Sequence, residues 1–331
     1  MFSATTSGAS GVAVENVFST YLYTGNGSTL TINNGIDLAG EGGLLWIKNR
    51  TSAADNALFN MPGGFSSYQT FAYQSSNSTS GSLSTSPTTI VSTSSSVMGF
   101  GLNGSSTVLN ASANNYASWT FRKQPKFFDV VTFTQASGAT TTFNHNLGST
   151  PGCMLIKTTG VTNFWLVYHT SLGNDQYIIL NSTGAAQSYS GGFSVSSTSV
   201  TINNALLAAT GNAFVAYLFA HNAGGFGLYG SANAISCGSF TTDGSGNATV
   251  THGFTNGAQF CMIKGSTVIS NWEMFDTQRT PSWTSADARL YPNLSSAEDT
   301  VNRLSGSGTS LTFEGLSTGQ TYVYILVAAP V

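Results

Sequence analysis

The residues best able to do chemistry crowd into one stretch, Asn271 to Arg303, which holds Asp276, Arg279, Trp283, Asp287, Arg289, Tyr291, Glu298 and Asp299. Two acidic side chains facing a sugar are the usual minimum for glycoside hydrolysis. Asp276 with Asp287, Glu298 or Asp299 is the local choice for such a pair. The simpler reading, which we prefer, joins Asp276 to Arg279 across a loop. Trp283 lies in the polar run Thr280-Pro-Ser-Trp-Thr-Ser285, in the same stretch as Arg279, Arg289 and Tyr291. An aromatic among hydrogen-bonding groups suits a sugar or a protein contact surface; cover for an edge of its own domain is the competing reading. Trp283, Arg279, Arg289, Tyr291 and Asp276 are thus the candidate partner- or glycan-contact residues, and no catalytic set is assigned.

Elsewhere the chemistry thins out. His145 and His252 stand just before turns in matching surroundings, which favours a turn-fixing role, and His169 and His221 lack any HxH or HExxH spacing. Cys153, Cys237 and Cys261 are odd in number and show no CxxC spacing, so free thiols and no bound metal are expected. No phosphate-binding glycine loop or GxSxG elbow is present, and no cofactor is expected. Net charge is −3, which gives no basic footprint for nucleic acid. The acidic excess lies wholly beyond Asn222. No run approaches 18 apolar residues, so no membrane insertion is expected. The opening Met1-Phe-Ser-Ala-Thr-Thr-Ser-Gly8 lacks the basic and apolar regions of a secretion signal.

The elements that must carry these residues are β-strands. Charged residues are 7% of the chain, well below the typical quarter or so, yet aromatics reach 12%, unlike a disordered chain. Thr, Val, Tyr and Phe suit pleated surfaces, and 37 glycines with many asparagines suit the turns between them. The chain also repeats. Gly43-Leu-Leu-Trp-Ile-Lys48, Gly152-Cys-Met-Leu-Ile-Lys157 and Gln259-Phe-Cys-Met-Ile-Lys264 share an apolar run ending in Ile-Lys, with the lysines 109 and 107 residues apart. Tyr116-Ala-Ser-Trp-Thr-Phe121, Phe214-Val-Ala-Tyr-Leu-Phe219 and Tyr322-Val-Tyr-Ile-Leu-Val327 match as final strands covered on both faces. Trp165 and Trp272 fall at matching places and are expected in cores. A period near 107 residues is the size of a whole β-sandwich. The expected architecture is all-β: an arm over 1–16, then three tandem sandwiches over 17–124, 125–222 and 223–331. The glycine-rich 223–230 is expected to be a flexible joint, Ser75 to Ser96 a solvated insert, and Ser295 to Glu298 the start of a short helix.

The run Tyr23-Thr-Gly-Asn-Gly-Ser28, with Asn34-Gly-Ile-Asp-Leu38 and Leu45-Trp-Ile-Lys-Asn-Arg50, resembles a repeat domain of structural proteins in marine tailed bacteriophages. Asn271-Trp-Glu-Met-Phe-Asp276 and Pro292-Asn-Leu-Ser-Ser-Ala-Glu298 add to the likeness, which covers nearly all the chain beyond residue 17. The resemblance implies a place on the virion surface, no catalytic residues, and other virion proteins as partners. A tail-fibre or tail-appendage subunit contacting a host glycan or receptor is the first expectation, with a homo-oligomer multiplying weak contacts. A head-decoration or joining protein is second, and a glycan depolymerase third.

Overall fold

A computed structural model of the chain describes residues 11–63, 72–83, 98–208, 210–283, 286–306 and 308–330, together with the backbone of 89–91. The protein is all-β, its antiparallel strands interrupted, among the described residues, by one four-residue α-helix, Leu38–Glu41, and short 3-10 turns. The sheets fall into three sets with one strand order. In the first set, Phe18–Thr24 pairs with the last strand Asn115–Arg122, which pairs with Gly43–Asn49, then Ala57–Met61 and Gln74–Ser75. The second set orders Phe128–Thr134, Ala213–Phe219, Cys153–Thr158 and Leu166–His169, extended by Gln176–Ile179 and Gln187–Ser188. The third orders Ile235–Thr241, Thr321–Ala328, Ala258–Gly265 and Trp272–Asp276. Each set thus reads first, last, third, fourth. Each also has a three-stranded sheet made of its second, penultimate and antepenultimate strands. Lys48, Lys157 and Lys264 all lie at or near the end of the third strand, opposite Ala117, Val215 and Val323 of the last.

The near-continuous apolar runs exist because the large sheets are buried on both faces. Along Gly43–Asn49, Leu45 and Ile47 face the first repeat's own small sheet, while Leu44 and Trp46 face a core shared by all three repeats. Met154 and Ile156 likewise face inward in the second repeat, and Cys153 and Leu155 face the shared core. In the third repeat the local and shared cores are continuous. Alternation along a strand sends successive side chains to opposite faces, so a strand sandwiched between two cores must be apolar at every step. At one end of the shared core Phe121, from the first repeat, packs edge-on against Phe219 of the second at 5.3 Å and Phe260 of the third at 5.9 Å.

This common core changes several expectations. The joint at 223–230 is packed down: Phe226 is buried, packs at a tilt 5.8 Å from the Phe127 ring and bridges to Val12 and Ala232. Gly11 to Asn16, the described part of the arm, docks there too, with Val14 buried and Val12 N–H donating to the Gly225 carbonyl at 3.1 Å; residues 1–10 lie outside the described residues. Ser295 to Glu298 form no helix. They take no regular secondary structure and lead into the strand Asp299–Val301. Ser75 and Ser76 of the supposed solvated insert are fully buried, while residues 84–88 and 92–96 of it lie outside the described residues.

Candidate functional site

Three lysines without a carboxylate partner hold the repeats together. Each is fully buried and donates to a carbonyl six residues on in its own repeat and to one in a neighbouring repeat. Lys48 Nζ reaches the carbonyls of Ala54 (2.5 Å) and Ser295 (2.8 Å). Lys157 Nζ reaches Asn163 (2.5 Å) and Thr79 (2.7 Å). Lys264 Nζ reaches Ser270 (2.9 Å) and Thr183 (3.0 Å). Repeat one is therefore fastened to three, two to one, and three to two, which closes a ring. An ammonium removed from water with only carbonyl dipoles around it is penalised, and burial lowers all three lysines from 10.5 to about 8, with Asp55 pulling weakly the other way at Lys48.

The same seam is built three times around these lysines. The N–H groups of Ala54, Asn163 and Ser270 donate to the carbonyls of Ser295, Thr79 and Thr183, at 2.9, 2.8 and 3.0 Å. In return Glu298, Ser82 and Ala186 donate to the carbonyls of Arg50, Thr159 and Ser266, at 3.0, 2.9 and 2.8 Å. Eight residues beyond each lysine stands a side chain that reaches across. The Trp165 indole donates to the Ser75 carbonyl at 2.8 Å, and the Trp272 indole to Ile179 at 3.0 Å. In the first repeat Asn56 takes this place, its amide donating to the Tyr291 and Leu294 carbonyls at 3.1 and 3.0 Å. Asn77, Asn181 and Asn293 each accept the backbone N–H of that residue, at 2.8, 2.8 and 2.9 Å.

The seam between repeats one and three adds charge. Arg50 grips Glu298 with two bonds of 2.7 and 2.8 Å, and Arg279 reaches Glu298 at 3.2 Å. Arg279 also binds Asp276 at 2.6 Å and lies 5.3 Å over the Trp119 ring. Asp276 takes the Trp119 indole N–H at 3.0 Å, and its other oxygen caps the N–H groups of Gln278 and Arg279. Both side chains are fully buried. A second network holds Arg289, which binds Asp299 through two bonds of 3.0 and 2.9 Å and Glu273 at 2.9 Å, while Arg303 binds Glu273 at 2.8 Å. The Tyr291 hydroxyl donates to Asp299 at 2.7 Å, and Arg289 lies 4.8 Å over the Tyr291 ring. Burial works to raise Asp299, but the bonds from Arg289 and Tyr291 outweigh it and hold the carboxyl below its usual range.

The five candidate residues are thus split between places. Asp276 and Arg279 lie inside the seam, Arg289 and Tyr291 belong to the second network, and Trp283 stands apart from both. Trp283 is 5% exposed, its indole N–H bonds the Ala258 carbonyl at 2.9 Å, and it walls a cavity of about 380 Å³ with His252, Asn256, Thr277 and Leu311. Ser282, Trp283 and Ala286 take left-handed backbone angles, three of the six non-glycine residues that do so among those described. Asp287 is fully buried; it caps Arg303 and Leu304 N–H with one oxygen, and its pKa is raised by burial. His145 and His252 fix their turns by accepting the N–H two residues ahead, at 3.2 and 3.1 Å. The three cysteines are unpaired and buried. Among the described residues no cluster of His, Cys, Asp and Glu forms a metal site, and no helix is long and apolar enough to cross a membrane.

What the sequence analysis missed is the seam itself. Its signal was present: the Ile-Lys landmark marks the donors, and Asn77-Ser-Thr79, Asn181-Ser-Thr183 and Asn293-Leu-Ser295 mark the acceptors. The geometry defines a class: an all-β protein of three like units, closed into a ring by buried, hydrogen-bonded seams. The chain belongs to a family described as a domain of unknown function (DUF7483), whose model matches residues 14–329 as one unit spanning all three repeats. No curated protein matches the chain.

Proposed function

We propose that this protein is a non-enzymatic structural subunit on the exterior of a tailed-phage particle, serving in a tail fibre or appendage that contacts the host surface. The observation that carries the reading is where the charges are spent. Of the four carboxylates a glycosidase could draw on, Asp276, Glu298 and Asp299 are held by arginines within the fold, and Asp287 is fully buried and caps the Arg303 and Leu304 N–H groups. Free acids converging on open space would favour catalysis. Here they stiffen a block that works by shape and repeated contact. The likeness to marine-phage structural repeats supplies the particle. The ring supports a second reading, a head-decoration or joining protein, because three repeats disposed around one core suit a place on a compact surface as well as on a fibre. Antibody–gold labelling of intact particles tests both. Gold along the tail supports the first reading, gold over the head the second, and its absence from purified particles refutes both. Release of reducing sugar from host-surface glycan would refute the non-enzymatic part.

A further inference from the structure

We propose that the third repeat is exchangeable between two copies of this chain, so that the surfaces closing one ring also join two rings. The seams are head-to-tail: each repeat presents its lysine strand to one neighbour and its Asn-x-Ser/Thr loop to the other. Such surfaces do not distinguish a repeat of their own chain from the same repeat of another, which is the condition for domain swapping.

The connections decide which repeat moves. Repeats one and two are joined by residues 123–127, a short link in which Phe127 is buried and Lys123 and Gln124 donate to the Gly42 and Phe128 carbonyls. Repeats two and three are joined by residues 220–234, three times as long. Gly224, Gly225, Gly227, Gly230 and Asn222 there all sit at positive φ. Fully extended, such a link spans about 50 Å, enough to carry the third repeat to a neighbouring ring. Leu228 and Tyr229, at its tip, are 70% and 79% exposed.

Exchange must unpack the link, where Phe226 is buried and bridged to Val12, part the shared core and break the 2–3 and 3–1 seams, which re-form in trans, leaving the 1–2 seam untouched. The 3–1 seam is the one with no peptide link, and Arg50, Glu298, Arg279 and Asp276 lie in it. At the position of Glu298 the other two seams have Ser82 and Ala186, and at that of Arg50 they have Thr159 and Ser266. The ion pairs, found among the described residues in this seam and not in the other two, act as a lock on exchange.

The test uses the full chain in two double-cysteine variants. Ala54→Cys with Ser295→Cys spans the 3–1 seam, and Thr79→Cys with Asn163→Cys spans the 1–2 seam. Each variant is first checked for native circular dichroism. It is then concentrated, held in urea below the unfolding midpoint, returned to buffer, oxidised and run on non-reducing gels. Dimers should form in which the 54–295 disulfide joins two chains and the 79–163 disulfide stays within one. Unmodified chain, mixed as isotope-labelled and unlabelled pools, should give mixed dimers by native mass spectrometry, and Glu298→Gln should speed their formation about thirtyfold, the rate effect of roughly one lost charge-assisted bond. The proposal fails if the unmodified chain stays monomeric throughout. It fails equally if dimers appear with the 54–295 disulfide still within one chain, for then the contact lies on the outer surface.

Discussion

Replacing Lys157 by Met keeps the stem and removes the ammonium, which makes it a direct probe of the seam. At pH 7 the variant loses two charge-assisted bonds, to Thr79 and Asn163, each worth about 1.5–3 kcal/mol. It also escapes the burial that lowers Lys157 from 10.5 to about 8, a burden of about 3 kcal/mol. The Thr79 carbonyl keeps the Asn163 N–H as a donor, so only one acceptor is stranded. The net cost at pH 7 should be about 2 kcal/mol. The sign of the pH dependence follows from the direction of the shift. Between about 8 and 10.5 the unfolded lysine keeps a proton that the folded one sheds, so the wild type gains stability as pH rises through that window; below it the burial penalty is fully present. From pH 8 to 9 the gap between wild type and Lys157→Met should therefore widen by about 1 kcal/mol. Comparing the two proteins cancels the thiols and tyrosines, which titrate in the unfolded chain over the same range. Urea unfolding at pH 7, 8 and 9 measures the gap. A gap that narrows with pH would show that the lysine is not burdened by burial, and the seam argument would fall.

Glu298→Gln should cost about 2 kcal/mol by weakening the grip on Arg50 and Arg279, and urea midpoints of the variant should depend less on salt than those of the wild type. All four histidines are lowered by burial, His169 to about 4. Their contribution is full above about 6.5 and lost as pH falls towards 4, so the urea midpoint should drop between pH 7 and 5; an unchanged midpoint contradicts this. Trp283→Ala should destabilise the protein by about 3 kcal/mol, because it empties a buried site and strands the Ala258 carbonyl. Thermal unfolding of the isolated protein measures that loss, and a melting temperature equal to the parent's would return Trp283 to the role of an exposed contact.

The fold was legible where a residue does its work inside its own repeat. Leu45, Ile47, Met154 and Ile156 alternate with residues of the shared core, and that double burial appears in sequence as an unbroken apolar run. What the run does not say is which surface covers the second face. A strand inside a larger sheet and a strand under a neighbouring repeat carry the same residues, and so the core shared by the three repeats, beside the local cores of the first and second, was not foreseen. The candidate site suffered in the same way. Asp276, Arg279 and Glu298 look like a contact cluster because the sibling repeats lack them, but their partners Trp119 and Arg50 are 157 and 248 residues away. Asn56 hid the alignment further: it does in the first repeat what Trp165 and Trp272 do in the others, with an amide in place of an indole.

The choice of lysine at the centre of each seam follows from what must be satisfied there. Two carbonyls converge, one from the loop six residues on and one from another repeat, and both already lie beside apolar strands. A methionine would fill the volume but leave acceptors bare. An arginine would bring a planar fork suited to one carboxylate or phosphate, not to carbonyls arriving from separate directions. An ammonium at the end of a straight stem turns freely and offers three donors, so it can tie the two strands of a seam at one point. The penalty of burying its charge is the physical reason the seam is specific. A mispaired repeat would leave that ammonium with too few carbonyls in a medium where a poorly solvated charge is very unfavourable. Hydrophobic faces alone would tolerate sliding. Three buried lysines, each requiring the Asn-x-Ser/Thr loop of a neighbour, fix the register of every seam, whether the neighbour belongs to the same chain or to another.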